Sequence, residues 1–532
     1  MPDGREYDLQ RFINSSAHDY VNWLLLSVLM EGNNTTTSKN LIQRTFTGFF
    51  WVILGNGIQV ALKIAVLAIL ARLVTPNDFG LMGIAIIVME FAKMISHMGV
   101  GPALVQRKEV EHRHLTTGFT LSLLIGAFFA LLLILTAPYI AAFFRMPDLT
   151  KVLQMLSLIF LIDSFTLIAQ ALMQRNMKFK ISATIEVISY ALGYGAVGIF
   201  LGYLGWGVWA LVVASLSQSF LLTTLLLFVQ PFPKILGFER NAFKELIFFG
   251  GGFTLAKIAN YLATQGDNLI IGRMLGAAAL GIYGRAYQFM VMPAGLFGNA
   301  LDKALFPAMA QVQNQQLRLA KAYLTGVSMI ALIALPLSFL IFLLAREIVM
   351  VLLGPGWTEV ILPLQILACS LFFRMGYKMS DSLSRATGAV YRRAWRQVIY
   401  AVMVLTGSYI GQFWGLYGVA CGVALALIGN FLLMAHLSVQ LTNITWLNML
   451  KAHKQGMMLG IITGVVSYAL VGLCRMNSMP DFMTLIITVS GAGITLLLTL
   501  IYFPGLIVSL ELKELYEKLI VKRFKNLLPK NA

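Results

Sequence analysis

Charged residues are scarce in this chain. Only 12% of its 532 residues are Asp, Glu, Lys or Arg, whereas 58% are apolar. A water-soluble protein of this length needs far more polar surface to cover its core. The composition therefore excludes an ordinary soluble protein and predicts an exterior that faces lipid.

Cysteine is rarer still, and the common catalytic motifs are missing. The three cysteines, Cys369, Cys421 and Cys474, lie far apart within apolar stretches, so neither a disulfide framework nor a CxxC metal site is expected. The sequence contains no phosphate-binding GxxxxGK[ST] loop and no HExxH motif. We expect no metal, no cofactor and no enzyme activity.

Apolar runs of about 20 residues, long enough to span a bilayer as a helix, are abundant. They predict an all-α polytopic membrane protein with about fourteen transmembrane helices. The predicted spans cover residues 46–72, 79–102, 116–140, 150–174, 181–203, 206–230, 245–275, 279–304, 322–350, 358–384, 393–414, 415–438, 456–474 and 481–503.

The net charge of +17 does not point to nucleic acid, because the basic residues form short clusters between the predicted spans. If the spans alternate in direction, most of the 40 basic residues fall in connections on one side. Membrane proteins show this bias on their cytoplasmic side. Both termini are therefore expected in the cytoplasm, and nucleic acid is not expected as a partner.

The two halves of the chain resemble each other. Residues 67–85 align with residues 268–286, so that Arg72 matches Arg273 and two glycines also match. Both arginines fall at helix ends, where binding the last carbonyl groups is their default role. The match predicts two six-helix lobes related by a parallel internal repeat, as in transporters with a central site between rocking lobes. We divide the chain into a cytoplasmic N-terminal segment (1–44), an N-lobe (45–230), a cytoplasmic linker (231–244), a C-lobe (245–440), an extra helix pair (441–505) and a cytoplasmic amphipathic tail (506–532).

Ionisable side chains within the spans mark candidate sites, because each one needs a partner or water. One helical face is polar in both the first and the seventh span, as two lobes that face one aqueous cavity would show. Cations on such a face suit an anionic headgroup, although polar side chains also tie helices together within a bundle. The predicted cavity residues are the cations Lys63, Lys257, Arg285 and Arg374 and the polar residues Asn56, Gln59, Asn260 and Thr264.

A second set of ionisable residues lies on the second and fourth spans. Glu90 and Lys93 are spaced for an ion pair within one helix, and His97 follows one turn later. Such a pair would be structural or a gating latch. Alternatively, Glu90, His97 and Asp163 would titrate and couple transport to protons. Both interpretations stay open.

Several segments carry a family likeness, including AILARLVTPNDFGLMGIAIIV (68–88), GVGPALVQRKEV (99–110), DNLIIGRMLGAAALGIYGRAYQ (267–288) and LLGPGW (352–357). Their order and spacing resemble the polysaccharide repeat-unit flippases of the multidrug/oligosaccharidyl-lipid/polysaccharide exporter superfamily. The resemblance implies a bacterial inner-membrane protein that passes an undecaprenyl-diphosphate-linked oligosaccharide from the cytoplasmic to the periplasmic leaflet by alternating access. The last two predicted spans are an addition to the usual twelve.

On this resemblance, the cavity cations would neutralise the diphosphate and the polar cavity residues would bind sugar hydroxyls, while the polyprenyl tail stays in lipid. The expected partners are the lipid-linked oligosaccharide and the bilayer, with a polysaccharide polymerase and chain-length or export machinery as further candidates. Two alternatives remain. One is a cation-coupled small-molecule or drug antiporter of the same fold, which would favour buried carboxylates over cations. The other is a membrane-embedded glycan polymerase or ligase.

Overall fold

A computed structural model of the chain describes residues 57, 59–96, 100–106, 110–240, 243, 261 and 264–502. Across these ranges all regular structure is helical, and no β-strand occurs. The predictions for Asn56, His97, Lys257 and Asn260 concern residues outside these ranges, as do those for segments 1–44 and 506–532.

Long apolar helices make up most of the described chain. In chain order they are α1 (59–73), α2 (Pro76–Ser96), α3 (Val100–Gln106), α4 (His112–Phe144), α5 (Leu149–Arg175), α6 (Phe179–Tyr203), α7 (Val208–Val229), α8 (264–274), α9 (Ala277–Gln311), α10 (Gln316–Leu343), α11 (Ala345–Leu352), α12 (Ile361–Ala386), α13 (Val390–Gly411), α14 (Gly415–Thr442), α15 (Trp446–Met476) and α16 (Asp481–Tyr502).

Within the described ranges, ten helical segments are long and apolar enough to cross a membrane, and one of them, Val390–Thr442, contains both α13 and α14. Each predicted span that falls on described residues overlaps a helix. The largest difference is at α15, which begins at Trp446 although its apolar run predicts a start at 456. Lys451 and Lys454 lie in the early turns of α15 and hide its start from a hydropathy criterion. Thr445 caps this start by accepting a hydrogen bond from the backbone N–H of Asn448, 3.2 Å away.

The sequence TPND sets the start of α2. The Thr75 hydroxyl accepts a hydrogen bond from the backbone N–H of Asp78, and the Asp78 carboxylate accepts one from the backbone N–H of Thr75, both at 3.3 Å. Pro76 occupies the first helical position, where its missing N–H costs nothing. This reciprocal cap fixes the point at which α2 begins.

The helices form two groups that meet along α2 and α9. In the first group, α4 packs on α5, and α7 packs on α5 and α6; in the second, α9, α10 and α14 surround α12, and α13 packs on α14. A Cβ atom at Gly80 would lie 1.7 Å from the carbonyl oxygen of Ala277, and one at Gly281 would lie 1.9 Å from that of Pro76. Only glycine permits this approach. Gly80 and Gly281, which match each other in the internal alignment, thus face each other across the contact.

The extra pair of helices docks on the second group through a buried charge. α15 lies along α10, and α16 contacts α15 and α11. The side chain of Glu347 on α11 is only 1% exposed and binds the guanidinium of Arg475 at 2.8 to 3.1 Å. A carboxylate in such a site needs a cation close by.

Replacing Arg475 with Met should therefore leave Glu347 buried without its partner. We expect a loss of about 3 kcal/mol in the free energy of unfolding, since one partner of a buried pair is removed. The thermal unfolding midpoint of the purified protein in detergent measures this loss. The double variant Arg475→Met/Glu347→Leu should recover most of it, and a double variant as unstable as the single one would contradict the explanation.

Candidate functional site

Arg285 projects from α9 toward the first group of helices. Its guanidinium carbon lies 4.5 Å from the centroid of the Phe79 ring on α2, and its Nη1 donates a hydrogen bond to the side-chain oxygen of Gln288. Its Nε is buried and donates to no atom of the described residues. The contacts of this guanidinium are thus a ring and an amide, which leave donor capacity for an anion.

Lys63 approaches the same region from α1. Its Nζ lies 5.8 Å from the centroid of the Tyr190 ring. Tyr190 stacks on Tyr194, with ring centroids 5.2 Å apart and an interplanar angle of 16°. Both tyrosines also lie within electrostatic range of the Arg285 guanidinium. One cation from each group of helices therefore shares an aromatic cluster, which we call the central cluster: Lys63, Phe79, Tyr190, Tyr194 and Arg285.

The two tyrosines are presented by a break in helical regularity. α6 contains a π-helical turn over Ser189–Ala196, and such turns are frequent at functional sites. A Cβ atom at Gly193 would lie 2.5 Å from Cα of Gln218 on α7, and one at Gly195 would lie 3.0 Å from a methyl carbon of Val66 on α1. The turn thus presses α6 against both neighbours. The sequence reasoning missed both tyrosines; the only available signal was the SYALGYGA segment within an apolar run.

Lys93 and Asp163 form an ion pair between α2 and α5. Lys93 Nζ lies 2.7 Å from a carboxylate oxygen of Asp163, and the Ser219 hydroxyl on α7 donates to the other oxygen at 2.7 Å. The pair lines a cavity of about 260 Å³ together with Gln218 and Glu90, which is exposed. From the sequence, Glu90 was a plausible partner of Lys93, three residues away on the same helix. The structure places Asp163 there instead, because α5 brings it across the cavity.

Arg374 belongs to a different network, within the second group of helices. Its Nη1 donates to the Tyr287 hydroxyl at 2.8 Å, and its guanidinium carbon lies 5.0 Å from the centroid of that ring. Tyr287 stacks on Tyr283, whose hydroxyl donates to the buried carboxylate of Asp267 at 2.7 Å. The charge of Arg374 is therefore balanced by Asp267 through two tyrosines. The structure does not bring Arg374 into the central cluster.

The two remaining described cavity candidates are Gln59 and Thr264. Gln59 is one turn from Lys63 on α1 and is partly buried. Thr264, at the start of α8, donates to the backbone oxygen of Tyr261 at 3.1 Å. The Tyr261 hydroxyl donates in turn to the backbone oxygen of Ile87 on α2 at 2.8 Å. The start of α8 is thus held against the first group.

A larger cavity of about 980 Å³ lies between α10, α12, α14 and α15. Its lining is almost entirely apolar. Among the described residues that line it there is no Asp, Glu, Lys or Arg, and His453 is the one histidine. A cavity of this composition suits hydrocarbon and offers no cation to a phosphate. The polar part of an anionic ligand is therefore better matched by the central cluster.

Comparison with known proteins agrees with this architecture. Residues 69–362 match the family described as polysaccharide biosynthesis protein. The chain is 26% identical over 401 residues to the lipopolysaccharide biosynthesis protein WzxC of Escherichia coli strain K12. This alignment covers 74% of this chain and 80% of the relative. It is 27% identical over 320 residues to the succinoglycan biosynthesis transport protein ExoT of Rhizobium meliloti strain 1021, and this alignment covers 60% of this chain and 65% of the relative.

A solved structure of the lipid II flippase MurJ in an inward closed conformation has the same fold. Its TM-score is 0.69 at 16% sequence identity, over 88% of this chain and 100% of that chain. An identity this low shows the fold alone.

Exchanging the charges of Lys93 and Asp163 should distinguish an ion pair from a proton carrier. Asp163→Ala alone should lower the free energy of unfolding by about 1 to 2 kcal/mol, because a partly buried ammonium loses its partner. The double variant Lys93→Asp/Asp163→Lys should regain the thermal unfolding midpoint of the unaltered protein. It should also restore polysaccharide export in cells that depend on it. A double variant that is stable but inactive would instead favour a proton-coupling role for this position.

Proposed function

The chain belongs to the family of polysaccharide biosynthesis proteins, and on that premise we propose that it flips an undecaprenyl-diphosphate-linked oligosaccharide repeat unit from the cytoplasmic to the periplasmic leaflet. The product would enter exopolysaccharide, capsule or O-antigen assembly. One relative is named a transport protein of succinoglycan biosynthesis, and the fold is shared with a flippase. The observation that carries the proposal is the central cluster, where a cation from each group of helices lies over an aromatic ring and neither cation forms an ion pair within the described residues.

An anionic headgroup explains why these cations are tolerated. A cation inside an apolar bundle is costly unless a partner or water compensates it. Aromatic faces compensate it only in part, whereas phosphate oxygens form short charge-assisted hydrogen bonds with guanidinium and ammonium groups. Lys63 and Arg285 would therefore bind the diphosphate, while the sugars occupy the space between the lobes and the polyprenyl tail stays in lipid.

Alternating access supplies the movement. We propose an N-lobe (45–230) and a C-lobe (245–440) of six helices each, with the extra pair completing fourteen and both termini in the cytoplasm. Lys63 belongs to one lobe and Arg285 to the other. Rocking of the lobes would therefore expose the bound headgroup first to one side of the bacterial inner membrane and then to the other.

The other predicted residues keep subsidiary places in the proposal. Lys257 would add a third cation, and Asn56, Gln59, Asn260 and Thr264 would bind sugar hydroxyls. Arg374 has a partner network of its own, so we assign it first to holding α12 against α9. Coupling to protons through Glu90, Lys93, His97 and Asp163 remains a separate hypothesis, and the ion pair between Lys93 and Asp163 favours the latch over the proton carrier.

Two other functions are less well supported. A drug antiporter would favour several unpaired carboxylates facing the cavity; Glu90 lines the smaller cavity, but Asp163 is paired with Lys93 and Asp267 with Tyr283. A glycan polymerase or ligase is an enzyme, whereas two of the three similar proteins named above are named a transport protein and a flippase. We therefore propose that the chain makes and breaks no covalent bonds.

Polymer export in cells that lack the chromosomal copy tests the proposed headgroup site. Arg285→Ala and Lys63→Ala should each lower export by about tenfold or more, because a charge-assisted hydrogen bond to the phosphate is lost. Arg285→Lys and Lys63→Arg keep the charge and should retain part of the export.

Lys321→Ala is a matched control, since Lys321 is an exposed cation at the start of α10. Its export should equal that of the unaltered protein when membrane levels match. Full export by both Arg285→Ala and Lys63→Ala would remove the central cluster from the proposal.

A further inference from the structure

The predicted outer end of the two groups is closed by contacts from the end of α1. Trp357 Nε1 donates to the backbone oxygen of Ala71 at 2.7 Å, and Arg72 Nη2 donates to that of Val351 at 2.9 Å. Both bonds join the end of α1 to the second half of the chain, one at the last turn of α11 and the other at the segment between α11 and α12. They satisfy one carbonyl at the end of α1 that has no partner within the helix.

The arginine that matches Arg72 in the internal repeat crosses in the opposite direction. Arg273, near the end of α8, has its guanidinium carbon 5.2 Å from the centroid of the Phe143 ring on α4. The repeated arginines therefore do not simply cap their own helices, which was the default expectation. Each reaches across to the other half. We call the contacts made by Ala71, Arg72, Arg273 and Trp357 the outer seal.

The ring of Phe79 lies between the outer seal and the central cluster. Phe79 is 4% exposed and lies edge to face with Trp357, with ring centroids 5.4 Å apart and an interplanar angle of 69°. The same ring lies beneath the guanidinium of Arg285. A continuous series of contacts thus runs from Arg285 through Phe79 and Trp357 to the backbone of Ala71.

An anion at Arg285 would change the first contact in that series. A guanidinium binds phosphate oxygens more strongly than a ring face, so a bound diphosphate would draw the guanidinium away from Phe79. Phe79 would then be free to shift, and Trp357 would lose the neighbour that orients its indole toward Ala71. A packed aromatic pair responds by changing between discrete arrangements, because a close-packed interior does not deform continuously.

We propose that Phe79 and Trp357 are positioning residues through which an anionic headgroup bound at Arg285 loosens the outer seal. The inference rests on the proposed function, because it takes the central cluster as the headgroup site. It adds a direction to the transport step: the seal opens when the diphosphate is bound and closes when Arg285 returns to the Phe79 ring.

The labelling of a single cysteine in the outer seal measures this coupling. Ala71→Cys, in a variant whose Cys369, Cys421 and Cys474 are replaced by Ser, Ser and Ala, places a thiol at the seal without altering the carbonyl that Trp357 binds. The purified full-length protein is treated with a hydrophilic maleimide, with farnesyl diphosphate or with uncharged farnesol. Farnesyl diphosphate should raise the labelling rate by about tenfold, a typical size for coupling between two sites, and farnesol should leave it unchanged.

Two variants of Phe79 identify the ring as the link. Phe79→Leu keeps an apolar side chain but offers no ring face to Arg285, so farnesyl diphosphate should no longer change the labelling rate. Phe79→Tyr keeps the ring and should restore the response. Phe160→Leu is the matched control, because Phe160 is equally buried and its ring stacks on Phe129 of α4 instead of on a residue of the outer seal or the central cluster; its response should stay intact.

Trp357→Phe keeps an aromatic ring but replaces the indole by a smaller phenyl ring that has no N–H to donate to Ala71, so it should raise the labelling rate without any ligand. An unchanged response to farnesyl diphosphate in Phe79→Leu would overturn the proposal. If farnesyl diphosphate fails to change labelling while Arg285→Ala still abolishes export, the coupling is wrong and the proposed function stands. If Arg285→Ala and Lys63→Ala both leave export intact, the central cluster is not the headgroup site, and both that part of the proposed function and this inference fail.

Discussion

The cost of placing a charged side chain among apolar helices governs the interior of this protein. Most such charges are compensated by a nearby group of opposite charge or by a chain of hydrogen bonds: Lys93 by Asp163, Glu347 by Arg475. Within the described residues, Lys63 contacts an aromatic ring, Arg285 contacts a ring and the Gln288 amide, and neither forms an ion pair. Ring faces bind a cation more weakly than carboxylates do. An anion that enters this region would therefore still be attracted by both cations. The position of the candidate site follows from that imbalance.

The same region is where the two groups of helices are held together. α2 and α9 approach so closely at Gly80 and Gly281 that their backbones touch. Arg285, less than two turns along α9 from Gly281, lies over the Phe79 ring of α2. A ligand that engages Arg285 therefore acts directly on a contact between the groups. In the proposed mechanism, binding and conformational change therefore involve the same side chains, and no long pathway between distant sites is required.

The extra pair, α15 and α16, plays a different part. It packs on the second group through the ion pair between Glu347 and Arg475. In the sequence it lies well after every residue of the central cluster. The apolar face of α15 closes one side of the large cavity beside α10 and α12. The pair thus extends the lipid-facing surface of the second group while the contact between α2 and α9 remains clear of it.

The order and approximate limits of the helices could be read from the sequence, because a backbone in lipid must satisfy its hydrogen bonds internally and long apolar runs therefore become helices. The internal repeat also identified the matching glycines before their contact was seen. Partnerships were different. Lys93 was placed near its sequence neighbour Glu90 and binds Asp163 instead, and Arg374 proved to be linked to Asp267 through tyrosines. Periodicity reports only which face of its own helix a residue occupies. Which side chains meet depends on how separate helices pack, so only the tertiary structure decided these pairs.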